Sequence, residues 1–254
     1  MKTIIWSELK RNIFKKKTNL KKYRIAVIAV FLLVFAVFAV FTGISAFNWV
    51  RSEKIAQNSD RYNISNYSSA ELRNNLQRTG NFDFSNTHLL DWGIVQKASR
   101  AKNLPVIGEI SIPKLKVHLP IFLGTDDNTI ATGAGTMKPS QVMGKGNFAL
   151  ASHNLIQTAP KLLFSPLTHA KTGMKVYLTD KSQIYTYIIT NIEVVSVERI
   201  DVIDDQPEKN ELTLVLCSDE AGDAREIVHG TFEKSETYDS APIYLRESFN
   251  ERYN

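Results

Sequence analysis

The longest uninterrupted hydrophobic stretch of the chain lies near its beginning. Ile25 to Phe41 are seventeen consecutive apolar residues, and the apolar character continues, with a short interruption, to Trp49. At about 1.5 Å per residue in a helix, this run is long enough to cross a bilayer core of roughly 30 Å. The pattern therefore predicts a transmembrane helix over residues 25–47 that anchors the protein in a membrane.

The next segment, residues 48–104, is predominantly polar and rich in Asn, Ser, Arg and Gln. Ser68 to Glu71 match the capping box with which many helices begin, and a second helical pattern runs from Leu89 to Lys102. We interpret this region as a helical stalk or N-terminal appendage that holds the following domain off the membrane. No catalytic pattern occurs in it.

From Pro105 onward, short runs of β-forming residues alternate with turn residues such as Gly133 to Gly135. One short helix is predicted from Pro160 to Ala170. Seven or so strands with little helix indicate an all-β domain over residues 105–254, a β-barrel or sandwich rather than an alternating βαβ sheet. The predicted strands are Val106–Ile112, Val117–Leu123, Asn147–Ser152, Met174–Leu178, Ile184–Val197, Leu212–Cys217 and Arg225–Phe232.

Positive charge is concentrated at the N-terminus. Residues 1–24 contain nine Lys or Arg and one acid, for a net charge of +8, whereas the whole chain carries +5. The rest of the chain is therefore net negative, at −3. The positive net charge of the whole chain comes from its N-terminal tail and does not indicate that the folded part binds nucleic acid. By the positive-inside rule, residues 1–24 form a basic cytoplasmic tail, and the chain after residue 50 is extracellular.

A cleaved secretion signal is the competing interpretation of the N-terminus, because positive charge followed by an apolar run is also its signature. The hydrophobic part of such a signal is usually about 7 to 15 residues long, and the run here is longer. We therefore favour an uncleaved single-pass anchor in the cell membrane. In both cases the rest of the chain is exported.

The chain contains one cysteine, Cys217, which excludes an intramolecular disulfide and a cysteine-based zinc site. Period-two alternation places Cys217 on the sheet face opposite Leu216, at the end of its predicted strand, where a substrate can reach it. A thiol becomes a strong nucleophile when a base or a cation is held beside it. A buried structural cysteine is the alternative interpretation.

His153 is the histidine best placed to assist such a thiol. It ends an apolar strand with small residues before it, which leave room for a ligand, and it is followed by Asn154. We interpret the other four histidines as structural. They are His88, a surface residue with nothing placed near it, His118, an outward-facing strand position, His169, a helix-end residue, and His229, a strand-face residue.

Arg225 is the third candidate, because it lies eight residues after Cys217 and opens the next predicted strand. A hairpin between the two strands brings it back toward the thiol. Its guanidinium is charged at any working pH and is suited to hold an oxyanion or a substrate carbonyl. Pairing with Asp219 or Asp223 is an equally good explanation of its position, and neither interpretation excludes the other.

Together these segments resemble the class A sortases, the membrane-anchored cysteine transpeptidases of Gram-positive bacteria. The similarity covers residues from roughly 106 to 233 and the N-terminal anchor, and the order of the segments and the Cys217 to Arg225 spacing make it specific. The segments are Ile107-Gly108-Glu109-Ile110-Ser111-Ile112-Pro113, Leu119-Pro120-Ile121, Gly135-Thr136-Met137, Ala149-Leu150-Ala151-Ser152-His153 and Thr213-Leu214-Val215-Leu216-Cys217.

The resemblance implies an eight-stranded sortase β-barrel with short helices. It also implies a thiol-dependent transpeptidase that cleaves LPXTG-type sorting signals between Thr and Gly and joins the acyl group to an amine of a peptidoglycan precursor, lipid II, with hydrolysis when no amine arrives. Surface proteins that carry LPXTG are then its partners. Cys217 takes the place of the nucleophile, His153 that of the general acid and base, and Arg225 that of the oxyanion stabiliser.

No cofactor is expected from the resemblance. Some sortases bind calcium, but no acidic cluster in this sequence clearly matches such a site, so no metal ligands are predicted.

Leu216 departs from the family pattern, in which a threonine usually precedes the cysteine. Two alternatives to the enzyme stay open, and the second of them depends on this substitution. One is a membrane-tethered, non-catalytic binding module that recognises sorting peptides or cell-wall components and has a buried Cys217. The other is an inactive relative that binds sorting peptides without cutting them.

Overall fold

A single long helix opens the chain. In the computed structural model, which describes residues 2–83, 88–218 and 224–250, helix α1 spans Lys2–Asp60. The chain divides into two compact units, Met1–Trp49 and Val50–Asn254. The described side chains of residues 21–47 in α1 are all exposed, and the helix is long and apolar enough to cross a membrane. An all-apolar surface is suited to lipid rather than to water, as a single-pass anchor requires.

Eight strands in the second unit close into a barrel in the order β1-β2-β3-β4-β7-β8-β6-β5. The predicted eight-stranded barrel is confirmed. Most neighbours are antiparallel, but β2 pairs with β3, and β4 with β7, in parallel. The strands are β1 Val106–Ile112, β2 Val117–Phe122, β3 Ala134–Thr136, β4 Asn147–Ala151, β5 Lys175–Thr179, β6 Gln183–Ser196, β7 Glu211–Cys217 and β8 Ala224–Thr237.

Strand β3 was not predicted, because we interpreted Gly133 to Gly135 as turn residues. A Cβ on Gly133 would lie 2.3 Å from the carbonyl oxygen of Pro120, and one on Gly135 would lie 2.3 Å from that of Gly124. Such distances are far inside van der Waals contact, so only glycine allows the two backbones to approach. The glycines here are a requirement of strand packing.

Short helices connect and flank the strands, and two of them differ from the prediction. The helix expected from Leu89 begins only at Trp92, because the Asp91 side chain caps it by accepting from the backbone N–H of Ile94 at 2.7 Å. The helix expected over residues 160–170 is a 3₁₀ turn, Ser165–His169, because Leu163 has a positive φ of 53° that ends a regular helix. The α-helices are α2 Ser69–Asn75, α3 Trp92–Arg100, α4 Asp127–Ile130 and α5 Ile243–Glu247.

The part of the second unit before the barrel, residues 50–104, is here called the appendage. The described part of it packs directly on the barrel: Ile55 and Val95 belong to the same buried cluster as the barrel interior, and Leu72 packs with Val106 of β1. The capping box at Ser68 is present and starts α2. The region is therefore an appendage on the barrel surface and does not stand apart from it as a stalk.

Alternation along β7 separates the barrel interior from its outer surface. Leu216 is fully buried in the interior cluster, whereas Val215 belongs to a separate cluster on the outer face. Cys217 shares the outer face with Val215. The prediction that Leu216 and the thiol face opposite ways is confirmed, so the unusual leucine contributes to the core and not to the surface that carries the sulfur.

Candidate active site

Cys217 and Arg225 lie directly opposite each other in the antiparallel ladder of β7 and β8. Directly paired residues of an antiparallel sheet project from the same face, and the Arg225 Nη1 lies 3.6 Å from the Cys217 Sγ, to which it donates. The predicted hairpin thus brings the guanidinium to the sulfur. Asp219 and Asp223, the alternative partners of Arg225, lie outside the described residues.

His153 reaches the same place through the parallel pairing of β4 with β7. Ala151 is paired with Val215, and His153 and Cys217 each follow two residues later, at the same level of the two neighbouring strands. His153 and Cys217 line one cavity. The structure therefore brings the three predicted residues together at one edge of the barrel wall, although they are separated by up to 72 positions in the sequence.

Burial controls the protonation of His153. The residue is 7% exposed, and its Nε2 has no hydrogen-bond partner among the described residues. Burial lowers the pKa of His153 from 6.5 to about 4; the positive charge of Arg51 lowers it further, and the carboxylate of Asp127 opposes the shift. The imidazole in this arrangement is neutral at pH 7.

The cavity at these residues is small, at about 50 Å³. A water molecule in the liquid occupies about 30 Å³, so the cavity has room for one or two waters and none for a peptide. Part of its lining comes from the appendage. The lining residues are Arg51, Leu89, Leu90, His153, Asn154, Leu155 and Cys217.

The segment 88–91, here called the strap, is the part of the appendage that covers the cavity. Asp127 accepts from both the backbone N–H and the Nδ1 of His88, at 3.2 and 3.0 Å. Arg51 donates from Nη2 to the carbonyl oxygen of Leu90 and from Nη1 to the Thr158 hydroxyl at 3.4 Å. The strap is therefore fastened at both ends over the predicted catalytic residues.

Five of the residues that line the cavity were not predicted as site residues: Arg51, Leu89, Leu90, Asn154 and Leu155. Arg51 and Leu90 come from the region in which we found no catalytic pattern, and no local signal in the sequence marks them, because their positions depend on contacts with distant parts of the chain. Asn154 is different. Its place directly after His153 was visible in the sequence, and its side-chain Nδ2 donates to the carbonyl oxygen of Cys217 at 2.8 Å.

The other four histidines lie outside the cavity. His88 is a surface residue, but it is paired with Asp127, contrary to the prediction that nothing lies near it. His118 lies on the outer face of the barrel, as predicted, since its neighbours Val117 and Leu119 belong to the interior cluster. It is nevertheless buried, opposite Ser111, whose hydroxyl donates to the carbonyl oxygen of Ser248 in the C-terminal segment. His169 is exposed, and His229 lies on β8 within 3.1 Å of Glu193.

Acidic side chains do not gather into a metal site in the part of the chain that the structure describes, where no group of three or more His, Cys, Asp or Glu residues is placed to hold an ion. Asp205 instead accepts from the Lys138 Nζ at 2.6 Å and from the backbone N–H of Asn147 at 2.8 Å. The hydrogen bond from Lys138 has the largest effect and the one from Asn147 adds to it, so the pKa of Asp205 lies below its usual range. A lysine thus neutralises this carboxylate, and the absence of a metal requirement stays a prediction.

Comparison with known proteins agrees with this geometry. The family model described as the sortase domain matches residues 110–233. A sortase A of Streptococcus agalactiae serotype III (strain NEM316) is 44% identical over 209 residues, which are 81% of this chain and 85% of the relative. The chain belongs to the sortase family, class A.

Further sortases share its sequence and fold. The sortase A of Listeria monocytogenes serovar 1/2a is 28% identical over 82% of this chain and 91% of its own length. A solved structure of Listeria monocytogenes sortase A has a TM-score of 0.52 at 33% identity, covering 57% of this chain and 96% of that one. The sortase C-3 of Streptococcus pneumoniae, with a TM-score of 0.56 and 17% identity over 80% of this chain and all of that one, shares the fold.

Proposed function

We propose that this sortase cleaves LPXTG-type sorting signals between Thr and Gly and transfers the acyl group to an amine of a cell-wall precursor, which anchors surface proteins to peptidoglycan. The observation that supports this most directly is the meeting of a thiol, a guanidinium and an imidazole at one edge of the barrel, with Arg225 3.6 Å from the sulfur. These groups supply a nucleophile, a charge stabiliser and a proton carrier.

In the first half of the reaction, the Cys217 sulfur attacks the carbonyl carbon of the substrate threonine. Because His153 is neutral in the resting site, it is able to take the thiol proton during the attack and then donate it to the leaving glycine amine as the C–N bond breaks. Arg225 holds the oxygen on which negative charge develops. The products are a thioester on Cys217 and a free amine.

In the second half, an acceptor amine attacks the thioester carbonyl. His153 removes a proton from the attacking nitrogen as the new C–N bond forms, and it passes that proton to the sulfur as the C–S bond breaks, which restores the Cys217 thiol. Arg225 again stabilises the oxyanion. Water in place of the amine gives hydrolysis.

The anchor supports the same function by placing the enzyme where both substrates are found. The single apolar helix tethers the protein to the membrane, and we propose that the basic residues 1–24 stay in the cytoplasm while the barrel is extracellular. Exported LPXTG proteins and lipid II then reach the barrel from the same side of the membrane.

Intact-mass measurement of the full chain in detergent, incubated with an LPXTG peptide and a glycine-based amine, tests the proposal. We expect an acyl adduct on the wild type that the amine removes, no adduct on Cys217→Ala, and wild-type behaviour of His169→Ala, a matched change at an exposed histidine. Arg225→Lys keeps the charge but loses the planar fork, so we expect a loss of rate of about a hundredfold with the fold intact. Peptide binding without any adduct would instead identify a non-catalytic binding module.

A further inference from the structure

Asn154 makes contacts that the reaction described above does not use. The residue is 4% exposed, and its side chain is bonded at both ends. The Nδ2 donates to the carbonyl oxygen of Cys217 at 2.8 Å, and the Oδ1 accepts from the backbone N–H of Ile156 at 3.0 Å. A buried, fully bonded amide at the main chain of the nucleophile is placed to control where that nucleophile points.

The bond to Cys217 continues the ladder between β4 and β7 past the end of β4. The backbone N–H of Ser152 donates to the carbonyl oxygen of Val215 at 3.2 Å. In a regular parallel ladder the bonds recur every two residues, so the next bond would run from the backbone N–H of residue 154 to the carbonyl oxygen of Cys217. Here the side-chain amide of Asn154 makes that bond in place of the backbone.

This replacement frees the main chain to turn while the two strand ends stay joined. The loop that begins at His153 is fixed on its other side to the segment 164–165, where the backbone N–H of Phe164 donates to the His153 carbonyl at 3.1 Å and that of Leu155 donates to the Ser165 hydroxyl at 2.7 Å. Those bonds hold the loop against the segment 164–165. Its alignment with the end of β7 depends on Asn154.

We propose that Asn154 is a positioning residue for the transpeptidation reaction: its side-chain amide stands in for a missing ladder bond and so fixes the Cys217 main chain, and with it the thiol, relative to His153. This inference rests on the proposed function, in which the thiol and the imidazole exchange a proton. Proton transfer requires contact distances, and displacement by about 1 Å costs about a hundredfold in rate. We therefore expect loss of this bond to lower kcat more than it changes KM.

Gln141, which precedes β4 in the chain, offers a matched control. Its side-chain amide also bonds the main chain of β4, donating to the Ala149 carbonyl oxygen at 2.8 Å and accepting from the Ala149 N–H at 3.3 Å. Gln141 is not among the residues that line the catalytic cavity. Its removal deletes the same type of bond without changing the thiol or the imidazole.

The test compares Asn154→Ala, Asn154→Gln and Gln141→Ala in the full chain, with kcat and KM for an LPXTG peptide measured beside the melting temperature. For Asn154→Ala we expect kcat to fall by about ten- to a hundredfold with KM changed less than twofold. Asn154→Gln, which keeps the donor on a longer stem, should recover part of the loss. Gln141→Ala should keep the wild-type kcat even where its melting temperature falls.

A wild-type kcat in Asn154→Ala, or an equal loss of kcat in Gln141→Ala, would overturn the positioning role. So would a loss of kcat that follows the melting temperature across the three variants, since it would reduce Asn154 to a purely structural residue. These outcomes differ from a failure of the proposed function, in which the wild type itself forms no adduct on Cys217.

Discussion

Two regions of the second unit meet at the cavity that His153 and Cys217 line, and different contacts hold them in place. The barrel wall carries Cys217 at the end of β7, Arg225 near the start of β8 and His153 two residues past the end of β4, and backbone ladders join these three strands. The strap lies over them and is fastened by a few side chains, chiefly His88 and Arg51. The strand ladders hold the predicted catalytic residues in place, and we expect the strap, which depends on a few side-chain contacts, to limit access to the thiol.

The strap and the barrel wall also differ in the free energy needed to displace them. Within the strap, Leu90 is buried but Leu89 is 55% exposed, so lifting it exposes little more than one leucine, at a cost of about 1.5–3 kcal/mol. The pair between His88 and Asp127 has an exposed histidine and contributes about 1 kcal/mol or less. Local opening at such a cost occurs in folded proteins, whereas separation of the barrel strands requires global unfolding.

The largest effect is expected from the barrel wall. His153→Ala removes the proton carrier, so transpeptidation should fall by about a thousandfold or more while the barrel stays folded. Steady-state kinetics with an LPXTG peptide measure the loss. Near-normal turnover in this variant would show that another group carries the proton.

Acid should weaken the barrel wall through the same residue. The pKa of His153 is about 4 in the folded protein and 6.5 in the unfolded chain, so the unfolded chain binds more protons between these pH values. The contribution of neutral His153 is complete above pH 6.5 and is lost as the pH falls toward 4, by about 3 kcal/mol. Urea unfolding of the wild type and His153→Asn at pH 7 and 4.5 measures it. An equal pH dependence in both proteins would contradict the burial of a neutral imidazole.

A substitution at Leu216 tests the barrel interior separately from the outer face that carries Cys217. Leu216→Thr places a hydroxyl in a fully buried apolar cluster, and we expect a loss of about 1–3 kcal/mol in the free energy of unfolding without a gain in turnover. Denaturant unfolding and peptide turnover of the same sample distinguish the two effects. A clear increase in turnover would mean that the leucine restrains the reaction after all.

The strap should respond in the opposite direction, by gaining reactivity. Leu90→Ala weakens its contact with the cavity, and alkylation of Cys217 by iodoacetamide should become about tenfold faster, which corresponds to about 1.4 kcal/mol. Asp127→Asn loosens the other end and provides a second variant if Leu90→Ala folds poorly. Leu76→Ala, at an exposed leucine of the appendage, serves as the matched control. Unchanged alkylation in both strap variants would show that the strap does not limit access.

No effect is expected from the removal of calcium. The Lys138 ammonium already neutralises Asp205, so EDTA should leave peptide turnover unchanged within twofold. Lys138→Ala provides the complementary measurement, since it frees the carboxylate and makes a response to added calcium more favourable. A strong loss of wild-type activity in EDTA would require a cation site elsewhere in the chain.

The same contrast explains what the sequence could predict. Strand β1 was predicted with its observed bounds, and Cys217 and Arg225 were placed correctly, because alternation and a short hairpin are local properties of the chain. His153 was found because the end of an apolar strand is also visible locally. Its alignment with Cys217 depends on parallel pairing between strands far apart in the sequence, and only the resemblance to sortases indicated it.

The strap could not be predicted for a physical reason. Arg51 and Leu90 are 39 positions apart, and the cavity they cover ends at Cys217, a further 127 positions along the chain. No periodic pattern records contacts over such separations. The burial of His118 was not predicted for the same reason, since it depends on a C-terminal segment that bonds to Ser111, the residue opposite His118.

The opposite orientation of Leu216 and Cys217 has a consequence for the size of the molecules that this enzyme handles. A sulfur inside the barrel would admit only small molecules through the barrel mouth. On the outer wall, the sulfur meets its substrate at a surface, so that the sorting signal of a bulky folded protein can reach it without that protein passing through the barrel.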